Sequence, residues 1–310
     1  TPLVKVNAVK NLKAKVILYG DNYDETYKEA IRISQERNLC FIHPFDDPDV
    51  IAGQGTIAIE LEQQLKDKPY LKQPFGDEWE EYTWGEVGNM ARRLATGLKS
   101  LNLREGAHIG IYSKNCREWI ISDLAIVMAG YVSVPFFPSL NGKELAYIMD
   151  YGDVDALFIG KIETWDQIKD DLPEGMPLIK FPHYDGCSNV TKGHEWFKFI
   201  DSHEPMQNPN KPKLSDLWTI IFTSGTTGNA KGVMLTYQAI DGIKVVLDDP
   251  NNPLGIKHDG NNDFISYLPL NHIFERVVIE WCSFRYGGTI SFVESLDTCL
   301  LYTSPSPRDS

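Results

Sequence analysis

The chain has 310 residues, 42% of them hydrophobic and 24% charged, with a formal net charge of −13 at pH 7. This is the composition of a globular protein with enough apolar material to bury a core. The acidic excess argues against nucleic acid as a partner, because phosphate contacts need Lys and Arg.

Residues 1–66 open with strand signals at 15–19 and 39–43. Between them Asp24 is placed to cap a helix whose core face uses Tyr27, Ala30 and Ile31, and a second helix is expected over 49–65. That order of elements means a parallel α/β unit. The stretch KDKPYLKQPFGDEWE, with two prolines and a Gly-Asp turn, reads as a linker. Thr83 and Glu86 then form a capping box, followed at helical spacing by Val87, Met90, Ala91, Leu94, Leu98 and Leu101.

A strand is expected at 108–112, a helix at 117–129, a strand at 131–134 ended by Pro135, a helix at 142–150 and a strand at 155–159. The apolar stretch 119–137 contains Asp123, Gly130 and Pro135, so it reads as a core helix and strand rather than a transmembrane segment. Residues 161–213 read as loose and polar, and 218–222 as a central strand. Alternating helices and strands predict an α/β fold with a doubly wound, mostly parallel sheet. The end, CLLYTSPSPRDS over 299–310, has no periodicity and reads as a disordered tail. Cys40, Cys116, Cys187, Cys282 and Cys299 are scattered, with no metal or redox spacing, and read as reduced thiols.

The motif that points to chemistry is TIIFTSGTTGNAKGVMLTYQAI, residues 219–240. A strand delivers Thr223, Ser224, Gly225, Thr226, Thr227 and Gly228; Lys231 and Gly232 follow, then a second buried strand at 233–235. Glycines let backbone N–H groups converge on an anion, hydroxyls add hydrogen bonds, and Lys231 supplies a positive charge for a leaving phosphate. The string is not the loop of P-loop NTPases, in which Gly-Lys-Ser/Thr opens a helix.

This string resembles the phosphate-binding signature of the adenylate-forming (AMP-binding) superfamily, and the similarity runs from about Lys66 to Thr298. Supporting stretches are EEYTWGEVGNMARRLATGL, KNCREWIISDLAIVMAGYVSVPFFP and SYLPLNHIFERVV; the last looks most like long-chain fatty acyl-CoA synthetases. The resemblance implies a partial adenylation domain over 67–298 and an ATP-dependent ligation. A fatty carboxylate attacks the α-phosphate of Mg-ATP to give acyl-adenylate and pyrophosphate, and CoA, the co-substrate, then displaces AMP. It places Thr223, Ser224, Gly225, Thr226, Thr227, Gly228 and Lys231 on the ATP phosphates, with Lys231 catalytic, Thr223 also touching Mg2+, and His272 near the acyl and adenylate pocket. His272 equally reads as a hydrogen-bonded core histidine beside a helix start, and Glu275 with Arg276 as a salt bridge on or under a helix. The sequence departs from the family at Asn229-Ala230, where a proline more often precedes the lysine; that bears on loop stiffness. The resemblance implies a cytoplasmic protein that meets membranes, if at all, peripherally through its acyl substrate.

Residues 1–66 resemble a different family, the pyridoxal-phosphate-dependent threonine dehydratases. The strings are TPLVKVNAVKNLKAKVILYGDNYDETYKEA and FIHPFDDPDVIAGQGTIAIELEQQL. The resemblance implies an interior piece of PLP fold type II without its Schiff-base lysine, hence no lyase chemistry of its own. Gly53 and Gly55 read as a packing feature rather than a ligand site. The adenylate-forming family's later motifs (a Tyr-Gly-x-Thr-Glu segment, a ribose-binding Asp, a hinge and the small domain's lysine) are not found before Ser310. With Thr1 first and no signal peptide following, the chain is expected to be an inactive fragment, joined artificially near Lys66 and near Thr298, with a natural fusion as the alternative.

Overall fold

The computed structural model describes residues 6, 10, 13–20, 23–37, 39, 65–76, 78–223, 230–243, 247, 252, 254–257 and 260–293. The chain divides into two compact units, Thr1–Leu61 and Glu62–Ser310. In the first, helix α1 (Tyr23–Glu36) is present as expected. It starts at Tyr23, so Asp24 lies inside the first turn rather than at the cap. The strand expected over 15–19 is absent: residues 14–20 are irregular, with Ile17, Leu18 and Tyr19 exposed. A strand needs a neighbour to take its N–H and C=O groups. Here no described strand pairs with the segment, and the Tyr19 carbonyl accepts instead from Thr26 Oγ1 at 2.7 Å. The strand at 39–43 and the helix at 49–65 fall, but for Leu39 and Leu65, outside the described residues, as do Gly53, Gly55, Cys40, Cys299, the join near Thr298 and the tail.

The second unit holds two sheets. The stretch read as a linker is a β-hairpin, β1 (Pro69–Phe75) and β2 (Glu78–Thr83), turning at Gly76. Tyr70 and Leu71 on β1 are fully buried, which a linker would not achieve. The hairpin completes a four-stranded sheet with β10 (Asp263–Ser266) and β11 (Thr289–Phe292), in the order β10–β11–β1–β2.

The Thr83–Glu86 capping box forms in both directions and starts α2 (Trp84–Ser100). Val87, Ala91, Leu94 and Leu98 fall on its buried face. The larger sheet contains β3 (His108–Ser113), β4 (Val132–Phe136), β5 (Val154–Gly160), β6 (Leu178–Lys180), β7 (His194–Glu195), β8 (Leu217–Thr223) and β9 (Lys231–Thr236). Its order is β7–β6–β5–β3–β4–β8–β9, and every pair is parallel except β8 with β9.

Side chains of successive strand residues enter opposite layers, as the two-residue pleat requires. Ala156 and Phe158 join one core with α2, α3 (Arg117–Met128) and α6 (Trp196–Asp201). Leu157 and Ile159 join the other with α4 (Gly142–Tyr151) and α5 (Trp165–Ile168). The sheet is therefore doubly wound. Helix α3 packs against α2, β1, β3 and β4, which is why it is buried on several sides, with Arg117, Glu118, Ser122 and Asp123 buried along with its apolar residues.

Two expectations need correction. Pro135 does not end β4, which runs on to Phe136. Val132 N donates to Ala107 O of the segment entering β3, so by alternation the missing amide at 135 faces β8. Pairing with β8 is registered only at Ser133 opposite Thr219, so proline costs no ladder bond there. Residues 161–213 are not loose. They hold α5, β6, β7 and α6, anchored by the buried Trp165 and Trp196.

Candidate functional site

Adjacent parallel strands β4 and β8 are separated in the chain by β5, β6 and β7 on the far side of β3. Such a reversal of strand order opens a crevice at the carboxyl ends of the strands. A cavity of about 730 Å3 lies there, within the range of small-molecule sites. Its walls are Pro135, Phe136 and Phe137 from the end of β4, Glu144, Tyr147 and Ile148 from α4, Ile221, Phe222 and Thr223 from β8, Ala230, Val233 and Leu235 from the returning strand, and His272 with Ile273. Most of this lining is apolar; Thr223, Ser139, Glu144 and His272 supply polar groups.

Thr223 is the last residue of β8, exposed and directly opposite Lys231, the first residue of β9. The antiparallel pairing thus brings a hydroxyl and an ammonium to the two feet of one loop. Lys231 is exposed. Ser224, Gly225, Thr226, Thr227, Gly228 and Asn229, the rest of the phosphate-binding string, lie outside the described residues. The second strand, expected to be buried, is exposed from Lys231 through Met234, because β9 forms the sheet edge. Gly232 is the exception to that openness: a Cβ there would come within 3.1 Å of Ile220 and Phe222 side chains, so its smallness serves packing.

His272 is exposed, not a core residue. Its Nδ1 accepts from Phe274 N at 3.2 Å and caps a helical run made of α7 (Ile273–Glu275), a π-helical turn (Arg276–Trp281) and α8 (Cys282–Tyr286). Gly287 and Gly288 end the run with φ of +72° and +144°, and a Cβ at Gly288 would sit 2.4 Å from Asn262 O, so the close turn into β11 admits only glycine.

Glu275 and Arg276 do not pair with each other. Glu275 is buried and accepts from Tyr267 N at 3.0 Å, which ties down the segment leading to His272. Burial pushes its carboxyl up to about 7, against the pull of hydrogen bonds from Ser266 and from the Tyr267 and Leu268 amides. Arg276 is fully buried. Its Nη2 donates to Asp123 Oδ2 at 2.6 Å, its Nη1 to Thr219 Oγ1 at 2.7 Å and its Nε to Glu280 Oε2 at 3.2 Å. The guanidinium also lies 4.1 Å from the Trp218 ring centroid. Burial, then the Asp123 charge, pushes Glu280 well above the usual carboxylate range.

Sequence reasoning missed Asp123, Thr219 and Asn271. The available signal for Asp123 was an acid inside an otherwise apolar helix. Asn271 is buried beside His272; its amide donates to Phe136 O, and its Oδ1 has no partner among the described residues.

Among the described residues no group of three or more His, Cys, Asp or Glu could hold a metal ion; Thr223 presents one exposed hydroxyl at the end of β8. No helix among the described residues is long and apolar enough to cross a membrane.

A doubly wound α/β sheet with a cavity at the carboxyl ends of two adjacent strands defines a ligand-binding α/β domain. Residues 60–302 match the family described as AMP-binding enzyme, and the chain belongs to that family. Residues 1–74 match a second family, pyridoxal-phosphate dependent enzyme, in agreement with the dehydratase resemblance of that segment. Among curated relatives, long chain acyl-CoA synthetase 5 of Arabidopsis thaliana is 33% identical over 226 residues, covering 68% of this chain and 33% of the relative. Fatty acyl-CoA synthetase A of Dictyostelium discoideum is 31% identical over 217 residues, covering 66% and 31%. The chain thus spans about a third of the length of the curated relatives it matches. Among solved structures, ATP-bound MatB from Rhodopseudomonas palustris superposes with a TM-score of 0.63 at 20% identity, over 79% of this chain and 47% of that one, which establishes a shared fold.

Proposed function

We propose that residues 67–298 are the N-terminal half of the adenylation domain of a long-chain fatty acyl-CoA ligase. The observation that carries this reading is the β8–β9 hairpin. It sets Thr223 opposite Lys231, and Thr223 and His272 both line the mostly apolar cavity beside it. A phosphate chain at the loop and an acyl chain in that cavity would meet at Thr223.

In the first step a carboxylate oxygen forms a bond to the α-phosphorus of ATP and pyrophosphate leaves. Lys231 faces the negative charge that grows on the leaving group, an interaction stronger in the transition state than in the ground state. Ser224, Gly225, Thr226, Thr227 and Gly228 would hold the β- and γ-phosphates through N–H and hydroxyl groups, and Thr223 would help to hold Mg2+, which would supply positive charge against the phosphates. Phe136, Phe222 and Ile273 exclude water from the acyl group, and His272 orients the carboxyl end. In the second step the CoA sulfur bonds to the acyl carbon and AMP leaves. The protein acts in the cytoplasm, reaching membranes only through its acyl substrate.

Residues 1–66 contribute no lyase chemistry in this reading, and the chain is a join of two coding sequences near Lys66, with a second join near Thr298. The overlap of the two family matches at 60–74 supports the first. Sequencing the source transcript across codons 60–75 and 295–310 decides it; uninterrupted genomic coding through both points refutes the joins. The ligase reading is tested on a full-length protein carrying residues 67–298, given ATP, CoA and oleate. Oleoyl-CoA, AMP and pyrophosphate in equal amounts are expected. Pyrophosphate release that ignores the carboxylate would refute it; in the 310-residue chain the absorbance band of an internal aldimine is expected to be absent, and its presence would favour the lyase family instead.

A further inference from the structure

We propose that Arg276 is a positioning residue that fixes the His272 wall of the cavity against the Thr223 wall. The inference rests on the ligase reading only for its functional consequence; the geometry stands by itself. Arg276 lies one turn into the helical run that His272 caps, and its amide donates to His272 O at 3.3 Å. Its backbone is therefore tied to the His272 wall. Its side chain reaches the other wall: Nη1 donates to the hydroxyl of Thr219, four residues before Thr223 on the same strand.

Thr219 passes the connection on. Its Oγ1 donates to Ser133 O at 2.8 Å, and Ser133 is the residue of β4 registered opposite Thr219. That is the single registered pair between β4 and β8, on strands whose ends form the cavity. One guanidinium thus joins the helical run, β8 and β4, the three elements that meet at the cavity.

Two further features hold the guanidinium in one orientation. Asp123 takes Nη2 and Glu280 takes Nε, so each side of the fork has an acceptor. The rings of Trp218 and Trp119 lie 4.1 Å and 5.3 Å from its central carbon. A planar fork with donors on several sides satisfies all three acceptors together; the single ammonium of lysine cannot. Arg276 also opens the π-helical turn. Such turns are rare and are frequently found at functional sites.

The test is hydrogen exchange on the 310-residue chain, comparing Thr219→Val, Thr219→Ser and Arg276→Lys. Thr219→Val keeps the shape and removes the hydroxyl link. It should speed exchange of the β8–β9 hairpin amides by about tenfold to about a hundredfold, the equivalent of one buried hydrogen bond to a charged group, while β3 and β5 keep their protection. Thr219→Ser should restore the slow rate. Arg276→Lys should behave like Thr219→Val at the hairpin; if that variant does not fold, the Thr219 pair decides alone. Unchanged hairpin exchange in Thr219→Val, equal loss in Thr219→Ser, or a uniform rise through the chain would each overturn the proposal. Adding ATP separates the two claims. Failure of ATP to slow hairpin exchange in a full-length ligase carrying residues 67–298 counts against the ligase reading and leaves the positioning result as the variants give it.

Discussion

The buried Glu275 carboxyl gives the fold a pH dependence whose size follows from the structure. Its ordinary value of 4.5 is raised to about 7, and burial is the main cause. Between those two values the folded chain holds a proton that the unfolded chain has released, so stability falls as pH rises. The contribution is complete below about pH 4.5 and is lost as pH passes about 7. At ~1.4 kcal/mol per pH unit the swing is about 3 kcal/mol. Glu275→Gln removes the titration and keeps a side-chain oxygen for the Tyr267 amide. Urea unfolding of both proteins should show the difference between them change by about 3 kcal/mol from pH 4 to pH 8, with the glutamine variant gaining at high pH. Parallel stability curves across that window would refute the burial argument, since they would mean Glu275 ionises as freely in the fold as out of it.

Asp123→Ala should destabilise the chain by about 3 kcal/mol, at the low end for breaking a buried pair, because Glu280 stays beside Arg276 as a second acceptor. Urea unfolding measures this, and a loss under about 1 kcal/mol would mean that Asp123 and Arg276 are not coupled. Thr83→Ala should cost about 1 kcal/mol by removing the α2 cap, read from the melting midpoint; no change would show that the box is dispensable. In a complete ligase, Thr226→Ala and Thr227→Ala should slow adenylate formation less together than their separate effects add to, because neighbouring donors share the same phosphates. Full additivity would argue against a shared site.

The elements set by neighbours in the chain were legible in the sequence. The Thr83–Glu86 box and the spacing from Val87 to Leu98 are local, and they place α2 without tertiary information. The β8 strand and its turn back at Lys231 were likewise readable from an apolar run followed by glycines. What escaped depends on distant partners. Pro135 is tolerated in β4 because of where pairing with β8 lapses. Residues 161–213 look polar along the chain, yet Trp165 and Trp196 anchor them in separate cores. The exposure of β9 follows from its position at the sheet edge, which composition does not reveal. At the site, Thr223, Lys231 and His272 are marked by motif, whereas Arg276 finds Asp123 across 153 residues of sequence. Adjacent opposite charges at 275 and 276 suggest a pair; the fold sends one to the Tyr267 amide and the other to α3 and β8.

The most direct test of the phosphate-site assignment is carboxylate-dependent exchange of pyrophosphate into ATP by a full-length ligase carrying residues 67–298, with and without Lys231→Ala. Exchange isolates adenylate formation, the step in which charge grows on the leaving group opposite Lys231. The account predicts a rate about a hundredfold to about a thousandfold lower in the variant, equivalent to about 2.7–4 kcal/mol, with fatty-acid affinity unchanged. An unchanged exchange rate would contradict it and remove Lys231 and its hairpin from the chemistry.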